Sequence, residues 1–544
     1  MNNYATNTLT LQVVNDILTP INKLKEKLQM IVTISDNNKN KTIEIKEKKL
    51  ISTILSESGF SFSMPCGGKH ICGKCKVFAK GNLSEPSLKE QSLLQHESKS
   101  DIRFACMTYV LGDTEIKLIN KETEILTDGY FSQYDLNPSG INYGFAVDIG
   151  TTTVAVYGYD LKEGILMCKD SFLNPQSIYG TDVISRIQSS IDGNSKELQN
   201  VISDKIQKSI LRLCDEYQIN INLVDNIVIT GNTTMLYLLL NKNVRPLASA
   251  PFLIDDFLGR DVTASQCGFT HLNNANIYLP RTMSSFIGSD ITCSVLAARD
   301  LIDDSKSTLL VDIGTNGEMT LFHNNQMLCC STAAGPAFEG VGITMGVMAE
   351  SGAINKVYLE NNNIMYTTIK DKKPIGICGS GLVDSLAVFL SLGYIDESGY
   401  INIDKGEYIT EYNGKHAISI SDSGNSITQA DVRAAQLAKA AICAGIYSLL
   451  NEVSLKPSDV DRLIIAGGFG SYIDVKNAAI IRMIPEELAT KSIVVGNAAG
   501  AGASMILLSE KCRIENEETA KKAEIVDLST SPYFMEKFVD CIMF

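Results

Sequence analysis

The sequence predicts a multidomain α/β protein: a small β-grasp module with a cysteine-loaded loop, then a two-lobed region of duplicated mixed sheets with flanking helices. Three observations predict it. Four cysteines gather as C-x5-C-x2-C-x30-C among short alternating apolar runs. The tetrapeptide Asp-Ile-Gly-Thr occurs at 148–151 and again at 312–315, each time between two apolar strands. And 544 residues exceed what one hydrophobic core holds, pointing to about three or four domains.

In chain order, residues 1–28 are polar and weakly patterned, a frayed or helical lead-in. From Gln29 the pattern turns strand-like: MIVTIS, a polar turn DNNKNK, then TIEIKE, which reads as a hairpin. KLISTILSESG reads as a short helix across that sheet, and KVFAKG and DTEIKLI as closing strands, so the module spans 29–121. Residues 122–142 have turn residues and little periodicity and read as a linker or small connecting domain.

The remainder, 143–544, contains an internal echo. YGFAVDIGTTTVAVYGYD and STLLVDIGTNGEMTLFHN each read as strand, turn, strand, and their Asp148 and Asp312 stand 164 residues apart. One hairpin repeated at that distance implies two related lobes, each on a β-sheet. DRLIIAGGFGSYID reads as a buried strand, a Gly-rich turn and a helix starting near Ser471. SIVVGNAAGAGASMILL and PIGICGSGLVDSLAVFL repeat the strand–turn–helix idea, while TQADVRAAQLAKAAICAGIYSLL opens with a capping-box pattern at Thr428 and Asp431 and continues as a long Ala-rich helix.

Composition narrows the function. The 48 basic and 62 acidic side chains give a net charge of −14, which argues against a nucleic-acid ligand. No export signal and no membrane-length apolar run are visible, so a cytoplasmic protein with reduced thiols is expected. Ten of the fourteen cysteines, including adjacent Cys329 and Cys330, are expected to be buried small hydrophobes.

The other four carry chemistry. Cys66, Cys72 and Cys75 share one Gly-rich loop, and Cys106 joins from a later segment, a pattern suited to a [2Fe–2S] cluster. Gly67, Gly68 and Gly73 let the backbone wrap closely around sulfide. The first gap is one residue longer than in plant-type ferredoxins and resembles the adrenodoxin type. A zinc site or a Cys72/Cys75 thiol pair are the competing readings. The five histidines lack metal-site clustering; His70 falls inside the loop.

At each hairpin tip, Gly150 or Gly314 allows a tight turn without blocking a phosphate. Thr151, Thr152 and Thr153, and in the second copy Thr315, Asn316 and Gly317, offer hydroxyls and N–H groups to phosphate oxygens. Asp148 and Asp312 suit Mg²⁺ held through water, or an attacking water. Gly467, Gly468 and Gly470 permit close approach of adenosine or phosphate. Glu318 is a candidate to position water or metal, or an ordinary sheet carboxylate. NPQSIYGTDVISRI, GNTTMLYLLL and TAAGPAFEG, with Asn174, Asp182, Arg186, Gly231, Asn232 and Glu339, read mainly as cleft-lining turns.

The order of these motifs resembles the acetate kinase, sugar kinase, heat-shock and actin ATPase superfamily, whose members bind ATP in the cleft between two lobes. The resemblance implies a first phosphate loop at Asp148, Gly150, Thr151 and Thr152, a second at Asp312, Gly314, Thr315 and Asn316, and an adenosine wall at Gly467, Gly468 and Phe469. Together with CGGKHICGKC and RFAC, the chain from 29 to 544 resembles the reductive activators of corrinoid proteins. That resemblance implies ATP-dependent one-electron reduction of cob(II)alamin to cob(I)alamin in a corrinoid protein, supporting anaerobic methyl transfer, with a [2Fe–2S] cluster, ATP and Mg²⁺. It implies as partners a corrinoid iron–sulfur protein or methyltransferase corrinoid subunit and an external low-potential electron donor, and it describes homodimers. An activator of 2-hydroxyacyl-CoA dehydratase type shares the ATPase lobes but lacks the N-terminal module. A nucleotide-gated electron-transfer protein serving another acceptor, and a small-molecule kinase with a redox sensor, are the remaining alternatives.

Overall fold

A computed structural model describes residues 30–35, 40–58, 60, 70, 75–94, 101–118, 129–303, 305–468 and 473–544. The predicted lead-in 1–28 lies outside them. The chain divides into two compact units, one ending at Lys121 and the other starting at Glu122.

In the first unit, β1 (Met30–Ser35) and β2 (Asn40–Ile45) pair antiparallel, followed by β3 (Lys49–Leu50) and a helix over Ile51–Glu57. After the loop come β4 (Lys76–Leu83), a short helix Leu88–Leu94, β5 (Ile102–Phe104) and β6 (Tyr109–Leu118). The sheet order is β2-β1-β6-β4-β5, with β3 on β6, and β1 runs parallel to β6. First and last strands side by side at the centre of a mixed sheet is the β-grasp arrangement. The strict alternation of β6 turns Val110, Ile116 and Leu118 inward with Val32, Ile34, Ile54 and Val77. β6 begins at Tyr109, four residues ahead of the predicted DTEIKLI, because Val110 and Gly112 continue the buried positions of the alternation while Tyr109 and Leu111 face outward.

The second unit is built on two sheets with the same wiring. The first contains β7 (Tyr143–Ile149), β8 (Thr153–Asp160), β9 (Ile165–Leu173), β10 (Val224–Gly231), β11 (Arg260–Val262) and β12 (Asn276–Leu279), in the order β11-β12-β10-β7-β8-β9. β13 (Thr308–Ile313), β14 (Gly317–His323) and β15 (Gln326–Thr332) open the second. Two three-stranded sheets intervene, β16 (Ala353–Glu360), β17 (Asn363–Thr368) and β18 (Gly376–Ile377), then β19 (Ile409–Tyr412), β20 (Lys415–Ser419) and β21 (Ser426–Thr428). β22 (Arg462–Ala466), β23 (Ser492–Gly496) and β24 (Ala523–Ile525) complete the order β23-β22-β13-β14-β15-β24. In both sheets an antiparallel three-strand meander is flanked by a fourth strand parallel to the first and a fifth parallel to the fourth. The predicted duplication is therefore one of topology, hairpin for hairpin.

Between these sheets lie the helices Ser289–Ala297 and Ala498–Leu508, in one apolar cluster with Ala146, Val228, Leu310 and Ile464. Every residue of the second helix is buried, which a stretch apolar but for Ser504 permits, since that hydroxyl donates to the Gly500 carbonyl at 2.9 Å. Its glycines set the spacing: a Cβ on Gly502 would lie 2.0 Å from the Cys293 carbonyl oxygen. Thr428 and Asp431 form the predicted capping box at the start of the long helix Gln429–Glu452. Residues 129–142 are laid onto this unit, with the Tyr130 and Asn137 N–H groups donating to Val495 and Leu508 carbonyls at 2.8 and 2.9 Å. The helix Glu510–Lys522, though late in the chain, reaches residues around the first sheet: Arg513 stacks over Tyr278 at 4.3 Å, and Arg299 pairs with Glu515. The ten cysteines outside the predicted cluster set are all buried, as expected. Among the described residues no helix is long and apolar enough to cross a membrane.

Candidate functional site

The two Asp-Ile-Gly-Thr turns converge on one cleft. β7 and β13 each carry a carboxylate one residue before their end, Asp148 and Asp312, followed by the glycine turn and the returning strand. The Thr152 and Thr315 hydroxyls meet at 3.3 Å, so the two hairpin tips face each other. The cleft brings together the predicted Asp148, Gly150, Thr151, Thr152, Asp312, Gly314, Thr315, Asn316 and Glu318, with Gly467 and Gly468 on its wall. Phe469 and Gly470 lie outside the described residues. Gly467 has φ +97 and would place a Cβ 2.6 Å from Asp312 Oδ1, so only glycine passes the chain this close to the carboxylate. Among the described residues, the helix Val475–Ile480 follows this turn with the Asp474 side chain as its cap; the predicted start near Ser471 lies outside the described residues.

The first hairpin turn is held from behind. Asn174 Nδ2 donates to the Gly150 carbonyl at 2.8 Å, the Asn174 N–H to the Thr152 carbonyl at 2.8 Å, and the Arg186 guanidinium to the Thr151 carbonyl at 2.5 Å. Arg186 is fully buried, anchored also on the Gly180 carbonyl at 2.9 Å, and burial lowers its pKa to about 9. NPQSIYGTDVISRI thus braces the first hairpin turn instead of lining the cleft. Asn232, which caps the helix Thr233–Leu239, does line it and donates to Thr151 Oγ1 at 3.1 Å.

The electrostatics are dominated by carboxylates. Besides Asp148, Asp312 and Glu318, the cleft receives Asp290 from the start of helix Ser289–Ala297 and Glu339 from the turn after β15. Asp312 and Glu318 are directly opposite across the β13–β14 ladder. Burial raises Asp148 to about 6. Burial and then the Asp148 charge raise Asp312 to about 7. Burial, followed by Asp312 and Asp148, raises Asp290 to about 8. Glu318 is pushed well above the usual range by burial and by Asp290 and Asp312. Such mutual repulsion is relieved by a cation or by retained protons. Among the described residues no three His, Cys, Asp or Glu side chains close in on a single point. A cleft of several mutually repelling carboxylates is chemically suited to a hydrated divalent cation.

Glu339 stands apart. Its Oε2 accepts the Thr152 hydroxyl at 2.9 Å and the Thr315 hydroxyl too, so it bridges the two hairpins. Sequence reasoning named Glu339 only as a cleft-lining acid and missed Asp290 altogether. An acid in the first turn of a helix is commonplace, and only the tertiary fold carries Asp290 to Asp148 and Asp312.

In the first unit, Cys75 and Cys106 are both buried with sulfurs 3.3 Å apart, beyond the length of a disulfide. Cys66 and Cys72 lie outside the described residues. The turn carrying Cys106 is fixed by Glu90, fully buried, which accepts from Arg103 Nε at 3.0 Å, the Phe104 N–H at 3.2 Å and Thr108 Oγ1 at 2.8 Å. The Ala105 N–H donates to the Cys75 carbonyl at 2.9 Å, tying the two cysteine segments directly. Two buried soft donors this close suit an iron–sulfur group better than an exposed thiol switch.

Residues 306–544 match the family described as the C-terminal domain of RACo, the ASKHA domain, and 143–301 match the RACo middle region. The corrinoid activation enzyme RamQ of Eubacterium limosum is 30% identical, covering 92% of this chain and 97% of that protein. The Co(II) methylated amine-specific corrinoid protein reductase of Methanosarcina barkeri is 29% identical over 72% of this chain and 75% of that one. Among solved structures, a reductive activator for corrinoid, iron–sulfur protein superposes with a TM-score of 0.70 at 28% identity, covering 94% of this chain and 98% of the other.

Proposed function

The chain belongs to the RACo family of corrinoid activators, and from that premise we propose that it couples ATP to one-electron reduction of cob(II)alamin to cob(I)alamin in a corrinoid protein, sustaining anaerobic methyl transfer. The observation that carries the proposal is the meeting of two phosphate-type hairpins, hydroxyl to hydroxyl at 3.3 Å, in a carboxylate-rich cleft of a chain that also bears a buried thiol pair.

In this reading Thr151, Thr152, Thr315 and Asn316 bind the phosphates, while Gly467, Gly468 and Phe469 flank the adenosine. Asp148 and Asp312 would hold Mg²⁺, which when bound would neutralise phosphate charge, and Glu318 and Asp290 orient the water that attacks the terminal phosphate. Arg186 and Asn174 keep the first turn rigid behind the phosphates. Cys66, Cys72, Cys75 and Cys106 hold a [2Fe–2S] cluster, which when bound supplies a one-electron carrier. Glu90 and Arg103 keep the Cys106 turn in place. An external low-potential reductant feeds the first unit, and binding of ATP biases the second between states that dock the corrinoid partner differently. A cytoplasmic homodimer completes the proposal.

The test is anaerobic and spectroscopic. Reconstituted protein, a chemical reductant, a cob(II)alamin-loaded corrinoid protein and Mg-ATP are mixed and the cobalt bands followed. Cobalt(I) formed only with ATP supports the assignment. Cobalt that stays at (II) with several corrinoid proteins, while ATP is hydrolysed, overturns it in favour of another acceptor.

A further inference from the structure

The nucleotide cleft already contains a carboxyl acceptor at its centre, supplied by the protein. Glu339 Oε2 takes hydrogen bonds from both Thr152 Oγ1, at 2.9 Å, and Thr315 Oγ1. These hydroxyls come from different hairpins, and they are the donors that phosphate oxygens require. A carboxylate oxygen and a phosphate oxygen are chemically alike here: each is a negatively charged acceptor of charge-assisted O–H bonds. Both cannot be served by the same two hydroxyl protons.

We propose that Glu339 is an internal phosphate mimic that latches the two hairpins together in the nucleotide-free protein, and that the terminal phosphate of a nucleoside triphosphate displaces it. The inference rests on the reading of this cleft as a nucleotide site.

The local backbone is built to let the carboxylate leave. Glu339 ends the short turn Pro336–Glu339, with Gly335 on one side and Gly340 and Gly342 on the other, at φ 80, 74 and 82. Those angles favour glycine; Gly335 and Gly342 stand in open space as pivots on either side, while Gly340 packs against the Val347 backbone. The Gly335 N–H donates to the Thr315 carbonyl at 2.8 Å, so the near end stays tied to the second hairpin while the far end carries the carboxylate. The turn rests on the helix Gly379–Ser391, whose first residues also line the cleft, and on the long helix Gln429–Glu452, so its displacement is passed to both. Binding then has two parts: opening of the latch, then capture of the triphosphate. Affinity is reduced by the fraction of protein that is unlatched, a penalty that removal of the latch abolishes. The direction is diagnostic, because loss of a phosphate ligand or of a structural contact weakens binding.

The test compares wild type with Glu339→Ala and Glu339→Asp, the full chain in each case, by calorimetric titration with ADP and with adenylyl imidodiphosphate in the presence of Mg²⁺. The aspartate keeps the charge but is one methylene too short to bridge both hydroxyls, and it serves if the alanine variant folds poorly. Both variants are expected to bind the triphosphate analogue about tenfold tighter, with ADP changed by less than about threefold. Unchanged or weaker triphosphate binding overturns the latch, and so does equal tightening for both nucleotides. If neither wild type nor the variants bind either nucleotide, the nucleotide reading of the cleft falls and the latch with it.

Discussion

Asp290 shows how much a single side chain in this cleft is shaped by its neighbours. It keeps its proton to about pH 8 because burial, Asp312 and Asp148 all oppose ionisation. Asp290→Asn removes the repulsion without changing shape. At pH 8, metal-free protein is expected to gain roughly 1–2 kcal/mol in a denaturant titration. ATP-dependent reduction should fall at least about tenfold if the carboxylate orients water. A variant that is both no more stable and fully active would show that Asp290 is a bystander. In the first unit the sign reverses, since Glu90 is already paired. Glu90→Gln leaves Arg103 without its buried partner and is expected to cost about 3 kcal/mol, seen as an earlier melt of the N-terminal unit and loss of visible absorbance. Neither residue announces itself in the sequence. Asp290 follows an ordinary glycine turn, and Glu90 sits in a polar helix where an exposed acid is the default.

The elements were more legible than their partners. The paired Asp-Ile-Gly-Thr turns fixed both hairpins because a glycine flanked by apolar strands leaves few alternatives. The helix Ala498–Leu508 was readable as small and apolar, but what its glycines touch was not. Gly502 lies against the Cys293 carbonyl of the neighbouring helix and Gly500 against the Tyr157 ring, contacts set by folding two distant segments together. Gly502→Ala must push those helices apart, and a stability loss of about 2–3 kcal/mol is expected, read as a lower urea midpoint of the second unit. An unchanged midpoint would mean that the helix slides without cost.

For the whole molecule, the acidic cleft links stability to pH and to Mg²⁺. Asp148, Asp312 and Asp290 release protons in the folded state near pH 6, 7 and 8, against about 4 in the unfolded chain. The folded state binds more protons over that window. The contribution of these groups is therefore full below about pH 4 and is lost as pH rises toward 8. Thermal melts of metal-free protein should show a midpoint that declines from pH 5 to 8, and Mg²⁺ with nucleotide should restore it most at the alkaline end. A midpoint that rises with pH in the absence of metal would contradict the placement of these carboxylates. The two units should also fail separately. Cys106→Ser is expected to abolish the cluster spectrum and reduction while ATP binding persists, and Asp312→Ala to spare the spectrum and abolish the dependence on ATP, each read by absorbance and calorimetry on one sample.

The burial of the ten structural cysteines gives the second unit a built-in clock. A thiol that solvent cannot reach is alkylated only when its surroundings open, so the labelling rate at each position measures the frequency of that opening. Cys293 and Cys512 report on the layer between the sheets, Cys214 and Cys267 on the outer face of the first, and Cys443 with Cys541 on the packing of the C-terminal helix. Pulsed alkylation followed by mass spectrometry, with and without nucleotide, would time the breathing of each layer with no engineered probe.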